Sequence, residues 1–116
     1  DYWKLWALLA SALNHLGAYE EAEEASKRLL DLYPACEPAY GELIAALNGL
    51  NRNEEAYAMM RFAASNMPQS LPVHLNLALA AKRAGHTDEA KNLARQIREV
   101  VGANEEIEPI LAEIEA

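Results

Sequence analysis

Cysteine, aromatic residues and long hydrophobic runs are all scarce in this chain of 116 residues. Cys36 is the only cysteine, which excludes an internal disulfide and a metal site built from several cysteines. No run approaches the roughly 20 consecutive apolar residues that span a bilayer, so we expect no membrane insertion. Aromatic residues make up 7% of the chain while hydrophobic residues reach 52%, many of them alanine, and small apolar side chains favour closely packed helices. We therefore expect an all-α protein.

The sequence also lacks the residue patterns of catalysis. His15, His74 and His86 are dispersed, with no Cys, Asp or Glu at ligand spacing, and Cys36 has no predictable base beside it. Neither a glycine-rich phosphate loop nor an HExxH pattern occurs. We expect no enzyme activity, no cofactor and no metal ion.

Acidic residues outnumber basic ones by 18 to 10, which gives a formal net charge of −8. Phosphate backbones and anionic lipids repel such a chain, so nucleic acid is not an expected partner.

The single cysteine only weakly favours a reducing, cytoplasmic compartment, and the localisation stays open. The chain starts at Asp1 rather than at methionine, so we expect a fragment or trimmed chain, in which a missing signal peptide carries no information.

The chain does contain a repeat with a period of 34 residues. Glycine or asparagine recurs where a helix must end in a left-handed residue, alanine where two antiparallel helices approach closely, and proline where a helix stops. The positions in register are Gly17, Asn51 and Gly85; Ala22, Ala56 and Ala90; Trp6, Tyr40 and His74; and Pro34, Pro68 and Gly102. Apolar residues at helical spacing between them predict six helices, near 3–16, 20–33, 37–50, 54–66, 71–84 and 88–101.

This pattern resembles the tetratricopeptide repeat family, whose units carry Trp, Leu, Gly and Tyr in the first helix, Ala and Phe in the second, and a closing Pro. The chain departs from it in side-chain size at packing positions, with Ile44 where glycine is usual and Ser26 or Ala94 where an aromatic is usual. The first unit reads Trp6, Leu9, Ala10, Leu13, Gly17, Tyr19, Ala22, Ser26 and Pro34.

The resemblance covers residues 3–104 and implies the architecture. We expect a single domain over residues 1–116, an α-solenoid with a right-handed superhelical twist. Its three antiparallel helix hairpins would occupy residues 3–36, 37–70 and 71–104, and a seventh helix would follow at 105–116.

The tail after Asn104 carries the signals of that seventh helix. Asn104 is a suitable N-cap, and Ile107, Ile110, Leu111 and Ile114 share one helical face. The glutamates on the opposite face would keep the end of the stack in contact with water. Two interpretations remain open: the helix caps the stack, or it is the first helix of a partial fourth repeat.

The resemblance implies that binding occurs on the concave face, which is lined by the first helix of each hairpin. Asparagines there offer donors and acceptors to a peptide backbone, and small or apolar neighbours leave room for apolar side chains. We expect a protein–protein interaction scaffold that holds a peptide or helix of another protein. The predicted groove comprises Ser11, Asn14, His15, Glu42, Ala45, Asn48, Leu75, Asn76, Leu79, Lys82 and Arg83.

The same resemblance argues against one ligand class. The best-known groove of the family clamps a C-terminal carboxylate with lysine, asparagine, asparagine, lysine and arginine, but the matching positions here are Ala7, Ser11, Glu42, Pro72 and Asn76. No cation remains at these positions, and Glu42 would repel a carboxylate. We do not expect this ligand.

The third repeat is the only basic one. Its cations either receive an acidic segment of a partner or pair with the glutamates of the tail. They are Lys82, Arg83, Lys91, Arg95 and Arg98.

The N-terminal aromatics Tyr2 and Trp3 have no preceding repeat to cover them, whereas Trp6 is assigned to the core by its register. An exposed patch at Tyr2 and Trp3 indicates a lost upstream repeat, which we favour, a self-association surface or an anchor for a partner.

Two alternatives to a general scaffold also stay open. One is a regulatory or positioning segment of a larger enzyme of the glycosyl- or sulfotransferase type, and the other is a small secretion or pilus-assembly chaperone.

Overall fold

The computed structural model describes residues 2–116, which form seven α-helices and no β-strand. Each of the six helices predicted from the repeat agrees with an observed helix to within one residue at either end. The helices are α1 (Tyr2–His15), α2 (Tyr19–Leu32), α3 (Glu37–Gly49), α4 (Asn53–Asn66), α5 (Leu71–Arg83), α6 (Thr87–Val101) and α7 (Glu108–Glu115).

The tight turns inside the three hairpins share one backbone geometry. Gly17, Asn51 and Gly85 have φ angles of 78°, 60° and 91°, in the left-handed region that glycine and asparagine tolerate. The residue after each of them donates its backbone N–H to a carbonyl five residues earlier, as Ala18 does to Leu13 at 2.8 Å. This pattern ends the first helix and starts the second in each hairpin.

Alanine at the hairpin contacts allows the helices to approach closely. Ala22, Ala56 and Ala90 are fully buried, so a larger side chain would push the paired helices apart. Ser26, at a position where the family it resembles usually has an aromatic, is also fully buried, and its hydroxyl donates to the Ala22 carbonyl at 2.8 Å. The serine is thus satisfied within its own helix.

The hairpins stack into an α-solenoid in which α1, α3 and α5 lie side by side. Leu43, Leu47 and Met60 are central in the core. The assignment of Trp6 to the core is corrected here, because the ring is only half-buried and lies under the guanidinium of Arg28 at 5.4 Å. With no helix packed outside the first hairpin in the described chain, a ring at this register stays partly open to solvent.

The last hairpin is covered by α7, which packs against α5 and α6. Leu111 and Ile114 are the residues of α7 that are buried in this contact. The helix begins at Glu108, later than the cap predicted at Asn104, but the Asn104 side-chain oxygen accepts hydrogen bonds from the backbone N–H groups of Glu106 and Ile107. Asn104 therefore caps the turn that leads into α7.

Candidate functional site

The predicted groove residues lie on α1, α3 and α5 or at their ends, the helices that form one face of the solenoid. We call this face the groove. In the first two repeats it includes small residues, such as the half-buried Ser11 and Gly41 and the exposed Ala45, beside larger polar ones. In the third repeat Leu75 and Leu79 are half-buried and pack partly against the core. The groove thus has small side chains on α3 next to accessible apolar side chains on α5.

Asn14 and Glu42 are brought together across the first two repeats. The Asn14 amide nitrogen donates to the Glu42 backbone carbonyl and to its carboxylate oxygen Oε1, at 3.0 Å in both cases. This contact ties α1 to α3 and occupies the donors of Asn14. The Asn14 side-chain oxygen is buried and has no partner within residues 2–116.

Asn48 lies one period after Asn14 and has no equivalent bond. Both its amide nitrogen and its amide oxygen are buried without a hydrogen-bond partner in the described chain. Asn76, the register equivalent of Glu42, lies beside Gly41. A Cβ added at Gly41 would be 3.7 Å from the amide nitrogen of Asn76. The polar atoms of Asn48 thus lie beneath the surface of the groove.

The cations of the third repeat divide into two groups. Lys82 donates to the backbone carbonyl of Glu113 in α7, and Arg98 pairs with Glu108 at 2.6 Å and with Glu115 at 2.8 Å. The hydrogen bond from Arg98 holds the pKa of the Glu115 carboxyl below its usual value. For Lys82 and Arg98, pairing with the tail is therefore the interpretation that the structure shows.

The other cations of that repeat are more available. Arg83 is exposed at the end of α5 and forms no ion pair in the part of the chain that the structure describes. Arg95 donates to the side-chain oxygen of Asn92 at 3.1 Å, and Lys91 is exposed. At the other end of the groove His15 is exposed, and its ring nitrogen Nδ1 lies 2.8 Å from the Ser11 carbonyl oxygen.

A hollow of about 520 Å³ lies outside the groove and was not predicted from the sequence. It is lined by Trp3, Leu32, the loop of residues 33–36 and the first two residues of α3, and it includes the half-buried free thiol of Cys36. The available signal was the pair of prolines at 34 and 38, which mark the end of α2 and the start of α3. Trp3 is half-buried here, whereas Tyr2 is 70% exposed.

The remaining histidines have structural contacts. The Nδ1 atom of His74 lies 2.7 Å from the Ser70 carbonyl oxygen, and the His86 ring stacks on Tyr57 with its Nε2 atom 2.8 Å from Glu54. Within residues 2–116 no three His, Cys, Asp or Glu side chains are grouped closely enough to hold a metal ion. In the same residues none of the helices has the length and apolar character needed to cross a bilayer.

Comparison with known proteins agrees with the repeat and the fold. Residues 4–36 match the family model of the tetratricopeptide repeat. No curated protein sequence gives a significant match. The first helix hairpin is thus similar to a tetratricopeptide repeat, and the other two hairpins follow it at the same 34-residue period.

Two solved structures of the type III secretion translocator chaperone SycD from Yersinia enterocolitica are similar in fold. One, which contains a peptide of the translocator YopD, has a TM-score of 0.81 at 16% identity and matches 99% of this chain and 90% of SycD. The other has a TM-score of 0.81 at 17% identity and matches 98% of this chain and 85% of SycD. At such identities the similarity establishes a shared fold.

Proposed function

We propose that this protein is a binding scaffold that holds a segment of another protein in the groove, and that it acts by binding rather than by catalysis. The observation that carries the proposal is the face formed by α1, α3 and α5, where Ala45 is exposed and Leu75 and Leu79 are half-buried. Small side chains next to accessible apolar ones suit a bound segment that carries apolar side chains.

The groove fits a segment with apolar side chains. Ala45 on α3 is exposed, and the half-buried Leu75 and Leu79 offer apolar surface on α5. Arg83, at the C-terminal end of α5, would suit an acidic group at one end of the segment. We expect a segment that is mostly apolar, contacts α3 and α5, and carries a carboxylate near Arg83.

A secretion-type chaperone is the second candidate function. The observation in its favour is the likeness to SycD along nearly the whole chain, in a structure where SycD is in complex with a translocator peptide. Such a chaperone would use the same groove, so the two candidates differ in the identity of the partner. The partner's identity, rather than the site of binding, would separate them.

The test uses peptides selected from a random display library against the 116-residue chain, with affinities measured by fluorescence anisotropy. Ala45→Trp fills the groove at an exposed position, so the fold should survive while peptide affinity falls at least about tenfold. Leu75→Glu and Leu79→Glu should abolish binding, with circular dichroism used to check that these half-buried sites still fold.

The matched control is Ala58→Trp, which places the same side chain at an exposed alanine of α4, outside the groove. It should leave the affinity unchanged. If Ala45→Trp and Ala58→Trp bound the selected peptides equally well, the groove would not be the binding site.

A further inference from the structure

A second hollow, of about 240 Å³, lies between the second and third hairpins. It is formed by the loop before α5, the first turn of α5 and one side of α6, so both hairpins that enclose it lie within residues 2–116. Its lining shares no residue with the groove and contains no Asp, Glu, Lys or Arg. The lining includes Pro68, His74, Leu93, Gln96, Ile97 and Val100.

The second hairpin has aromatic rings at the positions that correspond to this hollow. Tyr40 precedes His74 by one period, is 7% exposed and belongs to the same core cluster as Ala63. Its hydroxyl donates to the Pro34 carbonyl at 3.2 Å. Phe62, which precedes Gln96 by one period, adds a second ring on the exposed side of α4.

The third hairpin has neither ring. The imidazole of His74 is smaller than the phenol of Tyr40, and its Nδ1 atom lies by the Ser70 carbonyl oxygen at 2.7 Å. Within residues 2–116 no group donates to the carbonyl of Pro68, the register equivalent of Pro34. Ile97 is larger than its equivalent Ala63 and replaces part of the lost volume. The second hollow is the space that remains.

We propose that the second hollow binds a neutral phenol ring in the place that corresponds to Tyr40 of the preceding hairpin. Apolar cavities of roughly 150 Å³ bind benzene, so the space is sufficient for such a ring. Leu93 and Ile97 would contact the ring, and the Pro68 carbonyl would accept from its hydroxyl, as Pro34 does from Tyr40. A charged ring is disfavoured, because it would lose its hydration without a counter-ion in the lining.

The probe is p-cresol, the tyrosine side chain as a free molecule, titrated into the isotope-labelled 116-residue chain and followed by NMR. We expect saturable shifts of the amides of residues 68–74 and 93–100, with a dissociation constant of about 1 mM or lower. Toluene lacks the hydroxyl and should bind at least about threefold more weakly, because the hydrogen bond is lost. No shifts, or shifts only elsewhere, would overturn the proposal, and equal affinity for toluene would overturn the hydroxyl contact.

Gln96→Phe tests the location, because it places the ring of Phe62 at an exposed position of the lining. It should weaken p-cresol binding at least about tenfold. The matched control is Arg95→Phe, which adds the same ring at an exposed neighbour on α6 that does not line the hollow and should leave the affinity unchanged. Equal affinities for the two variants would place the ring outside the hollow and overturn the proposal.

His74→Tyr tests the correspondence with Tyr40, because it supplies the ring from the chain itself. It should abolish p-cresol binding and raise the midpoint of thermal unfolding. If the new ring does not fit beside Ile97, His74→Tyr combined with Ile97→Ala restores both residues of the second hairpin and should give the same result. Unchanged p-cresol affinity in folded variants of both kinds would contradict the assignment.

A blocked peptide, acetyl-Gly-Tyr-Gly-amide, distinguishes the two sources of a phenol ring. Binding of both the peptide and p-cresol would indicate a tyrosine of another protein, whereas binding of p-cresol alone would indicate a small molecule. The result is separable from that for the groove. Ala45→Trp should leave p-cresol binding unaltered, and Gln96→Phe should leave the affinity for the groove peptides unaltered.

Discussion

The two ends of the solenoid carry the same apolar pattern, but its residues are exposed at the N-terminal end and buried at the C-terminal end. Leu9 in α1 and Leu111 in α7 occupy the same position of the 34-residue period, but Leu9 is 45% exposed and Leu111 is 1% exposed. The difference comes from the neighbours, since α7 packs on the hairpin before it and α1 has no such hairpin in the described chain. Burial in a repeat protein is thus a property of the interface between units rather than of the residue.

The largest expected difference between the ends follows from deleting these two leucine side chains. Leu111→Ala leaves a cavity under α7 and should lower the free energy of unfolding by about 2–5 kcal/mol. Leu9→Ala removes a half-exposed side chain and should cost about 1 kcal/mol or less. Urea denaturation followed by circular dichroism measures both values.

Leu43→Ala is the internal control for that pair, because Leu43 has the same register and is also 1% exposed. It should resemble Leu111→Ala. Equal losses for Leu9→Ala and Leu111→Ala would mean that the N-terminal end is covered in solution or that α7 is detached.

A smaller effect is expected from the cap that leads into α7. The Asn104 side-chain oxygen accepts two backbone hydrogen bonds, at 2.9 and 3.3 Å, and Asn104→Ala should cost about 1 kcal/mol. Hydrogen exchange should show the loss in α7 and leave α1 unaltered. Asn92→Ala, at an exposed position of α6, should change stability by less than about 0.5 kcal/mol, and a similar effect of both variants would argue against a capping role.

The helices were predictable from the sequence because their signals are local. Gly17, Asn51 and Gly85 mark left-handed turns, and the buried alanines at 22, 56 and 90 mark the close contacts. Each signal recurs at one spacing, so three weak patterns reinforce one another. The placement of six helices to within a residue follows from that redundancy.

The candidate site was less predictable, because its side chains interact between repeats. The sequence placed Asn14 and Asn48 in one register but could not show that Asn14 bonds to Glu42 while Asn48 stays unpaired. Similarly, Arg98 could be assigned to a partner or to the tail, and only the packing of α7 brings Glu108 and Glu115 to it. These contacts depend on rotamers and on the angle between units, which periodicity does not determine.

The smallest expected difference between the ends is in their response to acid. Arg98 lowers the pKa of Glu115 from its usual 4.5, so the pair stabilises the docked α7 at pH values above 4.5, and this contribution is lost as the pH falls through the lowered folded-state pKa. No carboxylate occurs in α1. Protection factors from hydrogen exchange should therefore fall more in α7 than in α1 on acidification below pH 4.5. Arg98→Gln should remove most of this pH dependence, and an equal fall in both helices would show that acid acts on the whole stack rather than on its C-terminal end.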